Sequence, residues 1–244
     1  MQVNVSKFLA FLLSTVSVNA KLDLTLSGAP IENVTAIDIL GVTFDSKLNF
    51  NEHVNKMCVR ASRQVSALQR LANVLDFPSR KMIYQTFILA NFNYCPIVWF
   101  FTSKASIDKI KKIQQRALRF VLKDYTSEYD ILLRKAEVVS IRVMTIKYIA
   151  IEIYKILNDK SPVYLKEIVQ KKDIPYSLRD PDKLVQPRVN STAYGIKSLR
   201  YYGAKLWNSM PIYIKEACSL QEFKLLIKQW SGPECQCAIC NMIQ

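Results

Sequence analysis

Residues 54–75 read VNKMCVRASRQVSALQRLANVL, and their periodicity decides the fold class. Val54, Cys58, Ala61, Val65, Leu68, Ala72 and Leu75 recur at alternating spacings of four and three, which predicts a helix with one buried seam. Lys56, Arg60, Arg63 and Arg70 each fall two positions after a seam residue. At roughly 100° per residue they project roughly 200° from the seam, onto the opposite face. Asn49 followed by Glu52 reads as an N-terminal capping pair, and Pro78 as the stop.

The same construction recurs downstream. Ile107, Ile110, Ile113, Ala117 and Val121 form a second apolar stripe. Lys109, Lys112, Arg116, Arg119 and Lys123 repeat at helical spacing beside it, and Lys104 and Lys111 thicken the basic flank. Between the two, residues 82–103 carry no charged side chain, a length that could span a bilayer. Gln85, Asn91, Asn93 and Pro96 interrupt that run and its aromatics are scattered, so it reads as a buried helix to about Tyr94, broken before Pro96. A membrane partner is therefore not expected.

The charge is concentrated where these helices lie. The 244 residues hold 34 Lys+Arg against 20 Asp+Glu, a net +14. Residues 1–45 contribute −2, residues 46–123 contribute +11 with only Glu52, Asp76 and Asp108 as acids, and residues 124–244 contribute +5. Such a distribution marks a dedicated electropositive surface, and two basic helices in succession suit a phosphate backbone gripped without base readout. An ordinary solvated basic face is the bland alternative.

Composition excludes several classes. With 50% hydrophobic residues and 5 Gly, the chain is neither disordered nor fibrous. One histidine, His53, makes hydrolase triads and His-rich metal sites poor candidates. The glycines stand alone, so no phosphate loop is formed, and no two aspartates are adjacent. A two-metal site needs clustered carboxylates, and the nearest approach is Asp180-Pro181-Asp182 in a polar stretch. Cys235, Cys237 and Cys240 supply three ligands for a zinc that needs four; Cys218 or another chain would complete the set, and a reactive, frayed tail is the other reading.

The N-terminus has two readings. Phe8–Leu13 followed by Val18-Asn19-Ala20 resembles a secretory signal, with sequons at Asn4, Asn33 and Asn190. The other is a buried strand over 8–13, an alternating one at Leu22, Leu24 and Leu26, a turn at Gly28-Ala29-Pro30, and a third strand over Ile37–Phe44. Helices are expected at 129–137, 139–158, 198–209 and 220–230, with Ile146, Ile149, Ile153, Ile156 and Leu157 as a buried face, a short helix after Pro162, and a connector over 171–187.

Several motifs together resemble the jockey-type reverse transcriptases of non-LTR retrotransposons. Ile39-Leu40-Gly41-Val42-Thr43-Phe44-Asp45-Ser46-Lys47-Leu48-Asn49-Phe50-Asn51-Glu52-His53-Val54 looks like that family's passage from palm to thumb. Tyr94-Cys95-Pro96-Ile97-Val98-Trp99 and Ile113-Gln114-Gln115-Arg116-Ala117-Leu118-Arg119 follow in order. Tyr154-Lys155-Ile156-Leu157-Asn158 with Pro162 and Tyr164-Leu165, then Leu206-Trp207-Asn208 with Pro211, continue the series. Phe223-Lys224 before Trp230 and the Cys-rich tail complete it. Each motif alone is weak, and their order along nearly the whole chain carries the resemblance.

The resemblance implies an RNA-directed DNA polymerase fragment. Residues 4–14 would match the palm strand after the hairpin that bears the family's aspartate pair, so the aspartates, and the Mg2+ that the full-length family polymerase uses, belong to upstream segments. No catalytic role and no metal falls on any residue here, and primer extension by this chain alone is not expected. Residues 1–46 would be residual palm strands, 47–124 a basic thumb-like domain, 125–170 a helical region, 171–188 a connector and 189–244 a C-terminal helical region. Expected partners are a template–primer duplex of RNA or DNA and the missing polymerase segments, in nucleus or cytoplasm. The expected class is mainly α with a small antiparallel N-terminal piece. The competing function is a secreted or membrane-attached helical interaction protein.

Overall fold

The computed structural model describes residues 8–14, 22–172 and 183–230. It is mainly helical, with short strands confined to residues 9–45, as the sequence predicts. The proposed signal cleavage after Ala20, the sequon at Asn4, the Asp180-Pro181-Asp182 triplet and the Cys235–Cys240 cluster lie outside the described residues. The chain gathers into two compact units, Met1–Leu132 and Leu133–Gln244.

The β region of the first unit is the expected small N-terminal piece, antiparallel in two of its three pairings. β1 (Leu9–Phe11) pairs in parallel with β4 (Glu32–Val34), and β2 (Thr25–Leu26) with β3 (Ala29–Pro30) forms an intervening antiparallel ribbon. Its turn is Ser27-Gly28, one step earlier than the Gly-Ala-Pro break suggests, because those two residues take positive φ of 52° and 82°. Ile37–Phe44 is not one strand. It folds back at Leu40-Gly41, whose φ values are 48° and 79°, into β5 (Ala36–Ile39) and β6 (Val42–Asp45), with Ala36 opposite Asp45. The apolar run hid a two-residue hairpin turn.

Asp45 then organises the entry to the first helix. Its carboxylate accepts from the backbone N–H groups of Lys47, Asn49 and Phe50 at 3.1, 3.2 and 2.7 Å. Phe50 packs edge-on against Phe44 and takes the cap position with φ 55°. α1 runs Asn51–Gln69. The Asn49–Glu52 capping pair does not form as expected: Asn49 Oδ1 accepts from the Asn51 N–H at 3.0 Å, while Glu52 pairs forward with Lys56. Nor does Pro78 end α1. It sits in the first turn of α2 (Phe77–Ile83), whose cap Asp76 accepts from the Ser79 N–H at 3.0 Å, the place where a missing N–H costs least.

The charge-free run supplies much of the core but not all of it is buried. After α2 the chain widens into a π turn at Tyr84–Ile88, closed by the Leu89 N–H on the Tyr84 carbonyl at 2.8 Å. α3 (Ala90–Asn93) follows, and a left-handed Cys95 separates it from α4 (Pro96–Trp99). Tyr84, Ile88, Phe92, Trp99 and Phe100 are buried. Among the described residues no helix is long and apolar enough to cross a membrane.

α5 (Lys104–Leu122) returns alongside α1. Val54, Cys58, Ala61 and Val65 face Ile110, Ile113, Ala117 and Val121 from within the same core, and all eight are buried. The two helices are parallel, and polar contacts fix both ends. At the start, Asn51 Oδ1 accepts from the hydroxyls of Thr102, Ser103 and Ser106 at 3.0, 2.7 and 3.0 Å. At the far end the buried Arg80 guanidinium donates to the Val121 carbonyl at 2.8 Å and to the carbonyls of Ala72 and Leu75. One cation thus satisfies the ends of both helical paths. Gln114, fully buried, donates to the Tyr84 hydroxyl at 2.9 Å and accepts from that of Tyr129 at 2.6 Å, which fastens α5 to the π turn and to α6 (Tyr129–Ala136).

The second unit is built on α7 (Ile141–Leu157), capped by Ser140, whose Ile146, Ile149, Ile153 and Ile156 are buried. A 3-10 turn at Val163–Ile168 follows Pro162. α8 (Leu199–Ser209) approaches α7 so closely that a Cβ on Gly203 would sit 2.6 Å from Ile153 Cδ1. α9 (Ile212–Lys215) and α10 (Leu220–Gln229) close the unit, with Phe223 stacked on Tyr154 at 4.2 Å between ring centres. The Tyr154 hydroxyl donates to the Ala217 carbonyl at 2.8 Å.

Arg80→Ala is expected to lower unfolding free energy by about 3 kcal/mol, because several charge-assisted bonds at two helix ends are lost together. Arg80→Lys is expected to recover less than half, since an ammonium lacks the planar fork. Urea denaturation of the three proteins checks this, and full recovery by lysine would show that charge alone is what matters.

Candidate nucleic-acid interface

The eleven basic residues expected on the two outer helix faces do not form one free surface. Four are occupied within the first unit. Lys56 bridges Asp38 and Glu52 at 3.3 and 3.2 Å and reaches the Thr43 hydroxyl at 3.1 Å. Lys109 donates to Asn55 Oδ1 at 3.2 Å, and Arg116 donates to the hydroxyls of Ser62 and Ser66 at 2.8 and 3.1 Å. Lys111 lies over the Tyr129 ring, 5.0 Å from its centre. The expected opposition of basic and apolar stripes fails at Lys109 and Arg116 because the neighbouring helix presents short polar side chains at the edge of the seam, at Lys56 because carboxylates flank it, and at Lys111 because the Tyr129 ring lies beneath it.

Six of the remaining seven are exposed and make no hydrogen bond or ion pair among the described residues: Arg60, Arg63, Arg70, Lys104, Lys112 and Lys123. Arg119 is half-buried, and its Nε is shielded from solvent with no partner. Helical geometry sorts them. Lys112 lies on the same edge of α5 as Lys109 and Arg116, the edge that meets Asn55, Ser62 and Ser66 of α1. Arg63 and Arg70 lie on the back of α1 next to that edge, and Lys123 ends α5 in a left-handed conformation. The parallel pair therefore carries a ribbon of cations along its joint. Asp108, one turn from both Lys104 and Lys112, pairs with neither. Apart from Asp108, no acid on α5 stands near these cations, and none of them is neutralised by an ion pair among the described residues.

A second feature escaped the sequence reading. A cleft of about 690 Å3 opens between the β5–β6 turn, the outer flank of α1 and the π turn. His53 and Met57 line its interior, Lys56 and Arg60 its rim, and Phe87 and Tyr94 its sides. His53 is only 7% exposed, and its Nδ1 accepts from the Thr43 N–H at 3.3 Å. The Tyr94 hydroxyl donates to the Leu40 carbonyl, and Asn91 Nδ2 donates to Gln64 Oε1 at 2.6 Å. Phe87 and Tyr94 belong to the charge-free run that reads as core, so only the π turn and the Cys95 break reveal them as surface. His53 stands one position before the seam residue Val54, and nothing in its spacing signals a cleft.

No cluster of three or more His, Cys, Asp or Glu side chains forms a cation site among the described residues. Asn33, one of the sequon asparagines, uses its amide on the backbone of Leu22, donating to the carbonyl at 2.8 Å and accepting from the N–H at 3.0 Å.

Burial lowers the His53 pKa below the ordinary 6.5; Asp38 opposes the shift, and Lys56 and Arg60 add to it. The folded chain thus binds fewer protons near pH 6 than the unfolded one. The stabilisation is complete above pH 6.5 and is lost as pH falls through the depressed folded value. His53 is the only histidine, so its titration is expected to dominate the pH 7.5–5.5 window. Stability is expected to fall across that window with a slope bounded by one proton, about 1.4 kcal/mol per pH unit. His53→Gln is expected to flatten the slope. Thermal melts at several pH values check this, and an unchanged slope in the variant would assign the titration elsewhere.

Comparison of the chain with family models, with curated proteins and with solved structures found no match.

Proposed function

We propose that the chain binds nucleic acid by its backbone through the exposed cations of the α1–α5 pair, in the manner of the thumb of the reverse transcriptases it resembles. The supporting observation is the ribbon of Arg63, Arg70, Lys112 and Lys123 along two parallel helices, with no acid paired to any of them among the described residues. Cations set at the middle and at the C-terminal end of each of two 19-residue helices can meet successive phosphates without reading bases. The internal bonds of Lys109 and Arg116 fix the two helices relative to each other, so those residues position the ribbon and contribute less to the contact.

Binding of this kind is electrostatic and sequence-tolerant. Four neutralised phosphates give a slope of about −4 in log K against log salt. Replacing Arg63, Arg70, Lys112 and Lys123 together by Gln is expected to abolish most of that slope and to weaken binding at least about a hundredfold at low salt. Circular dichroism should stay unchanged, since none of the four holds the fold. Filter binding at several salt concentrations with two unrelated duplex sequences checks all three. Affinity indifferent to salt, or retained by the quadruple variant, would remove the assignment.

A further inference from the structure

The cleft beside α1 is larger and more specifically lined than backbone binding requires. Its volume of about 690 Å3 is that of a site for one small organic ligand. Its chemistry narrows the ligand further. Phe87 and Tyr94 are 53% and 50% exposed and both line the cleft, so a planar ring finds aromatic surface on its walls. Neither is loosely held. The Tyr94 hydroxyl is tied to the Leu40 carbonyl, and Phe87 is directed outward because the π turn commits Tyr84 and Ile88 to the core.

The polar groups suit a base bearing a phosphate. With His53 Nδ1 accepting from the Thr43 N–H, the neutral ring keeps its proton on Nε2, which leaves that atom as the donor available to a ligand. The amide pair of Gln64 and Asn91 adds further donors and acceptors. Asp38, the acid of the lining, is exposed, and its charge is balanced by Lys56 at 3.3 Å while it accepts from the Thr43 hydroxyl. Arg60 is exposed and unpaired at the rim, one helical turn before Arg63 on the basic ribbon. Arg63, on the back of α1, stands between the joint and Arg60, so a strand passing from the ribbon over the back of α1 meets the mouth of the cleft.

We infer that this cleft takes a single unpaired nucleotide of the strand whose duplex lies on α1 and α5, its base against Phe87 and Tyr94 and its phosphate on Arg60. The inference rests on the backbone-binding proposal for the strand's path, and on the cleft alone for the base. Base–aromatic stacking tolerates any sequence, so the site would distinguish paired from unpaired ends without choosing among bases.

Fluorescence anisotropy with the full chain tests it, using a blunt duplex, the same duplex with a short single-stranded extension carrying 2-aminopurine at its first unpaired position, and free dTMP as competitor. The extension is expected to tighten binding about fivefold or more and to quench the 2-aminopurine. Phe87→Ala with Tyr94→Ala is expected to return the extended duplex to blunt-duplex affinity and to restore fluorescence, leaving blunt binding unchanged. Arg60→Gln is expected to reduce the preference with the fold intact. An extended duplex bound no tighter than the blunt one, or a preference that survives the double aromatic variant, overturns the cleft and leaves the ribbon standing. Blunt duplex unbound at low salt while the extended one binds in an aromatic-dependent way overturns the ribbon alone. Neither duplex bound overturns both, and displacement by free dTMP without any extension preference assigns the cleft to a free nucleotide and overturns the strand-end inference.

Discussion

The parallel register of α1 and α5 is the constraint from which the rest of the first unit follows. Parallel helices joined by a long crossover have no tight turn to align them, so the alignment must come from contacts at their ends. Asn51 gathers three hydroxyls from the segment that starts α5, and Arg80 draws the Val121 carbonyl at the end of α5 and the Ala72 carbonyl in the turns after α1 onto one guanidinium. Small residues along the joint, Ala61 and Ala117, bring the backbones close enough for Lys109 and Arg116 to reach across to α1. Moving either end by one helical turn would strand those two cations and dissolve the ribbon that they align.

That geometry separates two uses of positive charge that look alike in a sequence. Lys56, Lys109, Lys111 and Arg116 serve the fold, through carboxylates, an amide, hydroxyls and an aromatic face. Arg63, Arg70, Lys112 and Lys123 remain outside. Exposed ion pairs such as Lys56–Glu52 add little to stability, so the value of the first group lies in orientation.

Periodicity made the helices legible because a buried stripe repeats every turn whatever lies around it. The seam from Val54 to Val65 and the stripe from Ile110 to Val121 are buried as their spacing demands. The seam's last members, Ala72 and Leu75, lie past the end of α1: a burial pattern persists through irregular turns and says nothing of where hydrogen bonding stops. The free and the occupied cations were not separable in the sequence, because the difference is made by Asn55, Ser62 and Ser66, residues too ordinary to announce a contact with another helix. The cleft was not legible either. It needs the Leu40-Gly41 reversal, the π turn and the Cys95 break at once, and each is a local backbone choice inside an apolar run.

The π turn at Tyr84–Ile88 has a genetic meaning as well as a geometric one. A π turn is an α-helix that has accepted one extra residue. Deleting a single residue there would restore regular winding and rotate Phe87 by roughly 100° relative to the helix beyond it. An aromatic wall would then be traded for continuous core packing. The cleft is thus separated from a plain helical surface by one codon, a short step by which the scaffold can gain or lose a cavity without disturbing the helices that carry its charge.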